Sequence, residues 1–151
     1  MKAVLISIRP KWCELIARGE KTIEVRKNRP KLEMPFKCYI YRTKGSIKHL
    51  INDKWVNMDV GGTVIGEFVC DAILPIFVAY SDPNSRIALR EFPFTGLTDK
   101  EIMDYLGNGK TGYGWHITDL VIYDRPKELN EFGLNRPPQS WCYAKGGEAD
   151  E

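Results

Sequence analysis

The sequence predicts an α+β fold: a closed or nearly closed mixed β-barrel of about six strands with two or three short helices. Three observations carry that expectation. Short segments of alternating apolar and polar residues recur along the chain, punctuated by glycine and proline. Helical spacing is confined to brief stretches, the plainest opened by the capping box Thr98-Asp-Lys-Glu101. The length of 151 residues suits one domain with enough burial for a real core.

In chain order, Ala3 to Ile8 alternates as a first strand. Val4, Ile6 and Ile8 share one side; Ala3, Leu5, Ser7 and Arg9 share the other. Pro10 opens a short helix, where its missing N–H costs nothing. Trp12, Leu15 and Ile16 form its apolar stripe, and Gly19, after Arg18, is the candidate C-cap. Thr22 to Arg26 alternates again, and Phe36 to Arg42 reads as a third strand. Gly61-Gly62 marks a turn into a long β-rich stretch, Thr63 to Ile73, that Gly66 bends or bulges. Residues 80–97 carry loop signals, Ser81-Asp-Pro-Asn-Ser and Phe92-Pro-Phe-Thr-Gly. The capped helix follows, with Ile102, Met103, Tyr105 and Leu106, and Gly107 closes it. Lys110 to Gly114 is a glycine-rich approach to a strand over Trp115 to Tyr123, and it lacks the Walker pattern. A helical turn at Pro126 to Phe132 and a last strand near Ser140 to Ala144 complete the domain, expected over 1–145. Residues 146–151 read as a disordered polar tail.

No apolar run approaches the ~20 residues of a membrane span, and the apolar N-terminal stretch is too short for a signal peptide. A cytoplasmic protein with no membrane contact is therefore expected. Cys13, Cys38, Cys70 and Cys142 form no C-x-x-C pair. They read as small core residues, with no metal, no cofactor and no disulfide expected. Charge is uneven. Residues 1–54 hold 14 Lys and Arg against 5 Asp and Glu; residues 55–151 hold 8 against 15. The basic part points to an anionic partner, unless folding interleaves the halves and cancels the field.

The segment Gly19-Glu-Lys-Thr-Ile-Glu-Val-Arg26 is the candidate site. Strand alternation puts Glu24 and Arg26 on one face, about 7 Å apart along it, with Lys21 at the strand's entrance. A carboxylate beside a guanidinium stays ionised and can accept from a base edge. Lys and Arg bind phosphate or carbonyl oxygen. The bland alternative is a solvated strand face of ion pairs worth under ~1 kcal/mol each. Ser7 and Arg9 leave the first strand where the motif strand begins, and Arg9 is a candidate phosphate contact. Trp115 is a candidate stacking platform or a core residue, and only one of Trp115 and His116 can face the cleft. Trp12 reads as core. Trp141 either lines the cleft or seals the barrel end.

The run Gly19-x-Lys21-x-x-Glu24-x-Arg26, preceded by Ser7-Ile-Arg-Pro-Lys-Trp-Cys-Glu-Leu-Ile, resembles the signature of ASCH domains. These are PUA-like relatives of the EVE and YTH modified-base readers. Gly62-Thr-Val-Ile-Gly-Glu-Phe-Val-Cys-Asp and Trp115-His-Ile-Thr-Asp-Leu-Val-Ile-Tyr-Asp resemble the family's central and late strands. The resemblance implies a β-barrel with a cleft holding Lys21, Glu24 and Arg26, and an RNA or modified nucleoside as partner. Some ASCH proteins are enzymes, so the resemblance also implies an alternative: a small hydrolase in which Lys21 and Glu24 are catalytic. One bacterial branch hydrolyses the acetyl amide of N4-acetylcytidine. It uses a lysine, a threonine three residues later and a downstream glutamate. Lys21 matches that lysine, Glu24 stands in place of the threonine, Thr22 lies in a different register, and Glu91 is the candidate downstream glutamate. Other members are linked to ribonuclease activity. The sequence does not fix oligomeric state.

Overall fold

The computed structural model describes residues 2–77, 94–107 and 109–145. Part of the expected loop over 80–97, the candidate Glu91, and the tail 146–151 lie outside the described residues.

Among the described residues, eight strands form two sheets. They are β1 (Lys2–Ile8), β2 (Ile23–Arg26), β3 (Phe36–Arg42), β4 (Gly45–Ile51), β5 (Lys54–Val60), β6 (Thr63–Phe77), β7 (Thr111–Lys127) and β8 (Trp141–Lys145). Two α-helices, α1 (Pro10–Ala17) and α2 (Asp99–Leu106), and a 3-10 turn, Leu129–Phe132, complete the described elements. The larger sheet runs β2-β7-β6-β3-β1-β8, and β4 pairs only with β5. Within it β1 and β3 are parallel and every other pair is antiparallel. A parallel pair needs a crossover, here supplied by α1 and β2.

Both faces of the sheet's centre are covered. Val4, Ile6 and Ile8 of β1 meet Cys38 and Ile40 of β3, Phe68 and Cys70 of β6, and Trp115 and Ile117 of β7 on one face, under Cys13 and Ile16 of α1. Ala3 and Leu5 pack with Tyr39, Tyr41, Val64 and Phe132 on the other. This is why the alternation in β1 runs through apolar residues on both sides. A third cluster joins Val25 of β2 and Ile76 of β6 to Ile102, Met103 and Leu106 of α2.

The structure corrects the expected architecture in four places. The barrel is not closed by a hydrogen-bonded ladder: β2 and β8 are the open edges of the sheet. The described residues hold eight strands, because β4 and β5 form a hairpin that the sequence reading passed over. Its turn residues Asn52 and Asp53 take φ 51° and 64°, a type I′ geometry that Asn and Asp tolerate. The glycine-rich approach at 110–114 is already strand, since β7 begins at Thr111. The helical turn expected from Pro126 shrinks to Leu129–Phe132, because β7 continues to Lys127. Gly66 behaves as expected: the β6–β7 register shifts beside it, and a Cβ there would lie 2.4 Å from the Val121 carbonyl oxygen.

Candidate functional site

Helix α1 ends in a Schellman arrangement that aims the chain at β2. Gly19 N–H donates to Ile16 O and Glu20 N–H to Leu15 O, with Gly19 at φ 77°. Lys21 N–H also donates to Leu15 O, which fixes Lys21 beneath the helix end. The backbone of Thr22 and Ile23 then bonds to Phe94 O. Along β2, Val25 packs towards α2, so alternation drives Glu24 and Arg26 to the opposite, interior face. All four β2 residues are buried.

Lys21, Glu24 and Arg26 meet there as one ion triad. They are 2%, 6% and 8% exposed, so the solvated-face alternative is excluded. Lys21 Nζ lies 3.2 Å from Glu24 Oε1 and donates to Ile23 O at 2.9 Å and to Thr95 O. Arg26 Nε donates to Glu24 Oε2 at 2.9 Å, and Nη2 lies 2.7 Å from the same oxygen. Nη2 also donates to Ser7 O at 2.7 Å, and Nη1 to Ser140 O and Oγ at 3.2 and 3.0 Å. Lys21 Nζ thus meets three oxygens, and each guanidinium nitrogen of Arg26 has at least one acceptor. Burial pushes the Glu24 carboxyl up, but Arg26 and Lys21, by charge and hydrogen bonds, outweigh it and hold the group below its ordinary range.

Position gives the triad a second consequence. Arg26 belongs to one edge of the six-stranded sheet. Ser7 is the last but one residue of β1, and Ser140 immediately precedes β8, at the other edge. Ser7 N–H donates to Ser140 O, and its hydroxyl to Pro138 O. The guanidinium therefore spans the seam where a ladder would have closed the barrel.

Ser7, Lys21, Glu24 and Arg26 thus come together. Trp115 joins them from below: it faces Glu24 across the β2–β7 ladder and is fully buried. Its ring packs edge-on against Phe36 and Trp141, so it presents no open face for stacking, and its buried Nε1–H has no hydrogen-bond partner. The half-buried Trp141, next to Ser140, is the indole nearer the surface. His116 alternates outward, and its Nδ1 lies 2.6 Å from Asp71 Oδ1. That hydrogen bond holds the Asp71 carboxyl below its ordinary value. Arg9 is exposed at the N-cap of α1.

Sequence reasoning missed the contributions of Thr95 and Ser140. Thr95 acts through its main-chain carbonyl and Ser140 through its carbonyl and hydroxyl; a carbonyl leaves no residue-type signature, and a lone serine leaves a weak one. It also placed Trp12 in the core without its polar neighbour: Lys21 Nζ sits 5.3 Å from the centre of that ring. Cys13 lies on the buried face of α1, and burial raises its thiol to about 12, which leaves no reactive nucleophile in the thiol. No group of three His, Cys, Asp or Glu able to hold a metal is found among the described residues. No helix among them is long and apolar enough to cross a membrane.

Comparisons with known proteins follow the same lines. A family model described as the ASCH domain matches residues 6–87. A search of curated proteins finds no match. Among solved structures, the crystal structure of ASCH from Zymomonas mobilis is similar over 98% of this chain and 91% of that one, at 22% identity and a TM-score of 0.67. A tyrosine-to-phenylalanine variant of that protein matches over 99% and 95%, at 21% identity and a TM-score of 0.67. At such identities the likeness speaks for the fold.

Proposed function

The chain belongs to the ASCH domain family, and on that premise we propose that it binds RNA or a modified nucleotide at the seam held by Lys21, Glu24 and Arg26. The observation that carries this reading is a buried triad of two cations and one carboxylate, net positive, at the gap between sheet edges. Burying charge costs several kcal/mol per ion, and an apolar set would close the same seam more cheaply. Charges kept at that cost, in a gap between strands, favour a binding role.

The exchangeable bonds are those to neutral acceptors. Lys21 to Thr95 O, and Arg26 to Ser140 and Ser7 O, are the bonds that a phosphate or base carbonyl would replace. Phosphate makes charge-assisted bonds roughly twice as strong as neutral ones. Glu24 orients both cations and offers its carboxylate to a base amino group. Arg9 adds a phosphate contact at the surface, and Trp141 offers the ring edge of the cleft. The setting for such a ligand is the cytoplasm. The hydrolase alternative asks Lys21 or Glu24 to move a proton, whereas here each is engaged by the other.

Binding of short single-stranded RNA and of nucleoside monophosphates, measured at low and moderate salt, tests the reading. Affinity should fall with salt, and Arg9→Ala and Lys21→Met should each weaken binding while thermal melting monitors the fold. No binding at low salt, or binding indifferent to both substitutions, overturns it. Turnover of N4-acetylcytidine that disappears in Lys21→Met would replace it with the hydrolase.

A further inference from the structure

Arg42 ends β3, and its guanidinium stands apart from the network that satisfies Arg26. Its Nε–H is buried and has no hydrogen-bond partner. It takes part in none of the ion pairs among the described residues. The residue as a whole is half-buried, so this orphaned donor sits on a side chain that also meets solvent. Leaving a buried donor unpaired is costly, and more so for a charged one. Such a group calls for an acceptor that the chain itself does not supply.

Register decides where that guanidinium points. In the parallel β1–β3 ladder Ile8 pairs with Arg42, as Ile6 does with Ile40 and Val4 with Cys38. Strand alternation therefore turns Arg42 to the inner face, which holds Cys38, Ile40 and Trp115. Glu24 and Arg26 face the same interior. Cys13 links the two: burial raises its thiol, Arg42 is the charge that most opposes the rise, and Glu24 and Arg26 act on the same sulfur. Because β1 and β3 are parallel, both leave the sheet at one end. Arg9 and Lys11 follow β1 there and Lys44 follows β3, all three exposed, and Gly45 backs onto the Pro10 ring between them. The carboxylates of this end have other settings. Glu14 is exposed along α1, Asp59 lies across the base of the β4–β5 hairpin, and Glu128 acts on Tyr41, which belongs to the opposite face.

We propose that Arg42 is the phosphate anchor of the seam: a nucleotide whose base reaches the Lys21–Glu24–Arg26 triad rests its phosphate on the Arg42 guanidinium, with Arg9 beside it. The inference rests on the nucleotide reading of the seam and deepens it, because the phosphate becomes part of what the site recognises. A guanidinium presents a planar fork that matches phosphate oxygens, and bonds to a charged oxygen are roughly twice as strong as neutral ones. An ordered water would satisfy one N–H and leave the charge. A phosphate takes the fork and cancels it. The neighbouring cations Arg9, Lys11 and Lys44 favour the more highly charged phosphate over a carboxylate.

The test titrates the full chain with the common nucleosides and with their 5′-monophosphates. The wild type should bind the monophosphate at least about tenfold more tightly than the matching nucleoside. Arg42→Met should lose that preference and keep the nucleoside affinity, while Arg42→Lys, which holds the charge without the fork, should retain part of it. Without ligand, Arg42→Met should melt no lower than the parent, since it removes an unpaired donor and breaks no bond. The anchor is overturned if the wild type binds both ligands equally, or if the preference survives in Arg42→Met. It is equally overturned if Arg42→Met lowers melting and nucleoside affinity together, the mark of a structural role. Inorganic phosphate separates this inference from the reading it rests on. If no nucleoside or monophosphate binds, but phosphate raises the melting temperature over chloride at equal ionic strength and Arg42→Met abolishes the rise, the anion site stands and the seam falls. Nucleoside binding with no phosphate preference sinks the anchor and leaves the seam, and no response to any of these ligands sinks both.

Discussion

Arg26 gathers acceptors from three separated stretches of chain: Glu24 in its own strand, Ser7 near the end of β1 and Ser140 before β8. Removing it leaves the Glu24 carboxylate buried with only Lys21. Arg26→Met should therefore destabilise the fold by about 3–5 kcal/mol in urea unfolding, and adding Glu24→Gln should recover part of that loss, because the stranded charge is then gone. A pH series isolates Glu24 further. Its carboxyl is held below the ordinary value of 4.5 in the folded state, so in acid the unfolded chain binds more protons. The stability it contributes is complete above that ordinary value and is lost as pH falls through the folded one. The urea midpoint should drop as pH falls below about 4.5, and Glu24→Gln should lack that part of the drop.

At the scale of elements, β2 shows how four residues come to carry a buried charge cluster. Alone, Ile23–Arg26 reads equally as a surface strand of ion pairs or as a ligand reader. What buries its charged face is the β1–β8 side of the seam, reached through Ser7 and Ser140, and what buries its apolar face is α2. Helix α2 itself was plain in the sequence. Thr98 accepts from Glu101 N–H and the Glu101 carboxylate accepts from Thr98 N–H, as the four-residue signature requires. Helix α1 was equally plain, because Pro10 and Gly19 act locally. The hairpin was not, because Asn52-Asp53 is a weaker turn signal than Asn-Gly, and its strands keep no clean alternation. Asp53 carries a positive φ that glycine adopts without strain. Asp53→Gly should stabilise the hairpin by about 1 kcal/mol, seen as slower hydrogen exchange at amides within 46–59 and little change elsewhere.

At the scale of the molecule, the six-stranded sheet and the hairpin are separate hydrogen-bonded units. Replacing 46–59 by a short flexible turn should leave the thermal melting of the sheet within about 0.5 kcal/mol of the parent, as expected for surface changes away from the core. A large loss would show that the hairpin supports the sheet. The sequence by itself determined the local parts. Proline, glycine and the capping box bounded both helices. Alternation marked the strands and set Glu24 and Arg26 on one face, and the Lys-Glu-Arg spacing pointed to the family. Each of these signals acts within a few residues, so it survives without knowledge of the fold. Only the tertiary structure decided that the face points inward, that Trp115 is core while His116 is outside, and that the barrel stays open between β2 and β8. Those outcomes depend on partners far along the chain, Thr95, Ser140 and the Ser7 carbonyl. Main-chain acceptors brought in by the fold carry no mark in a string of side chains.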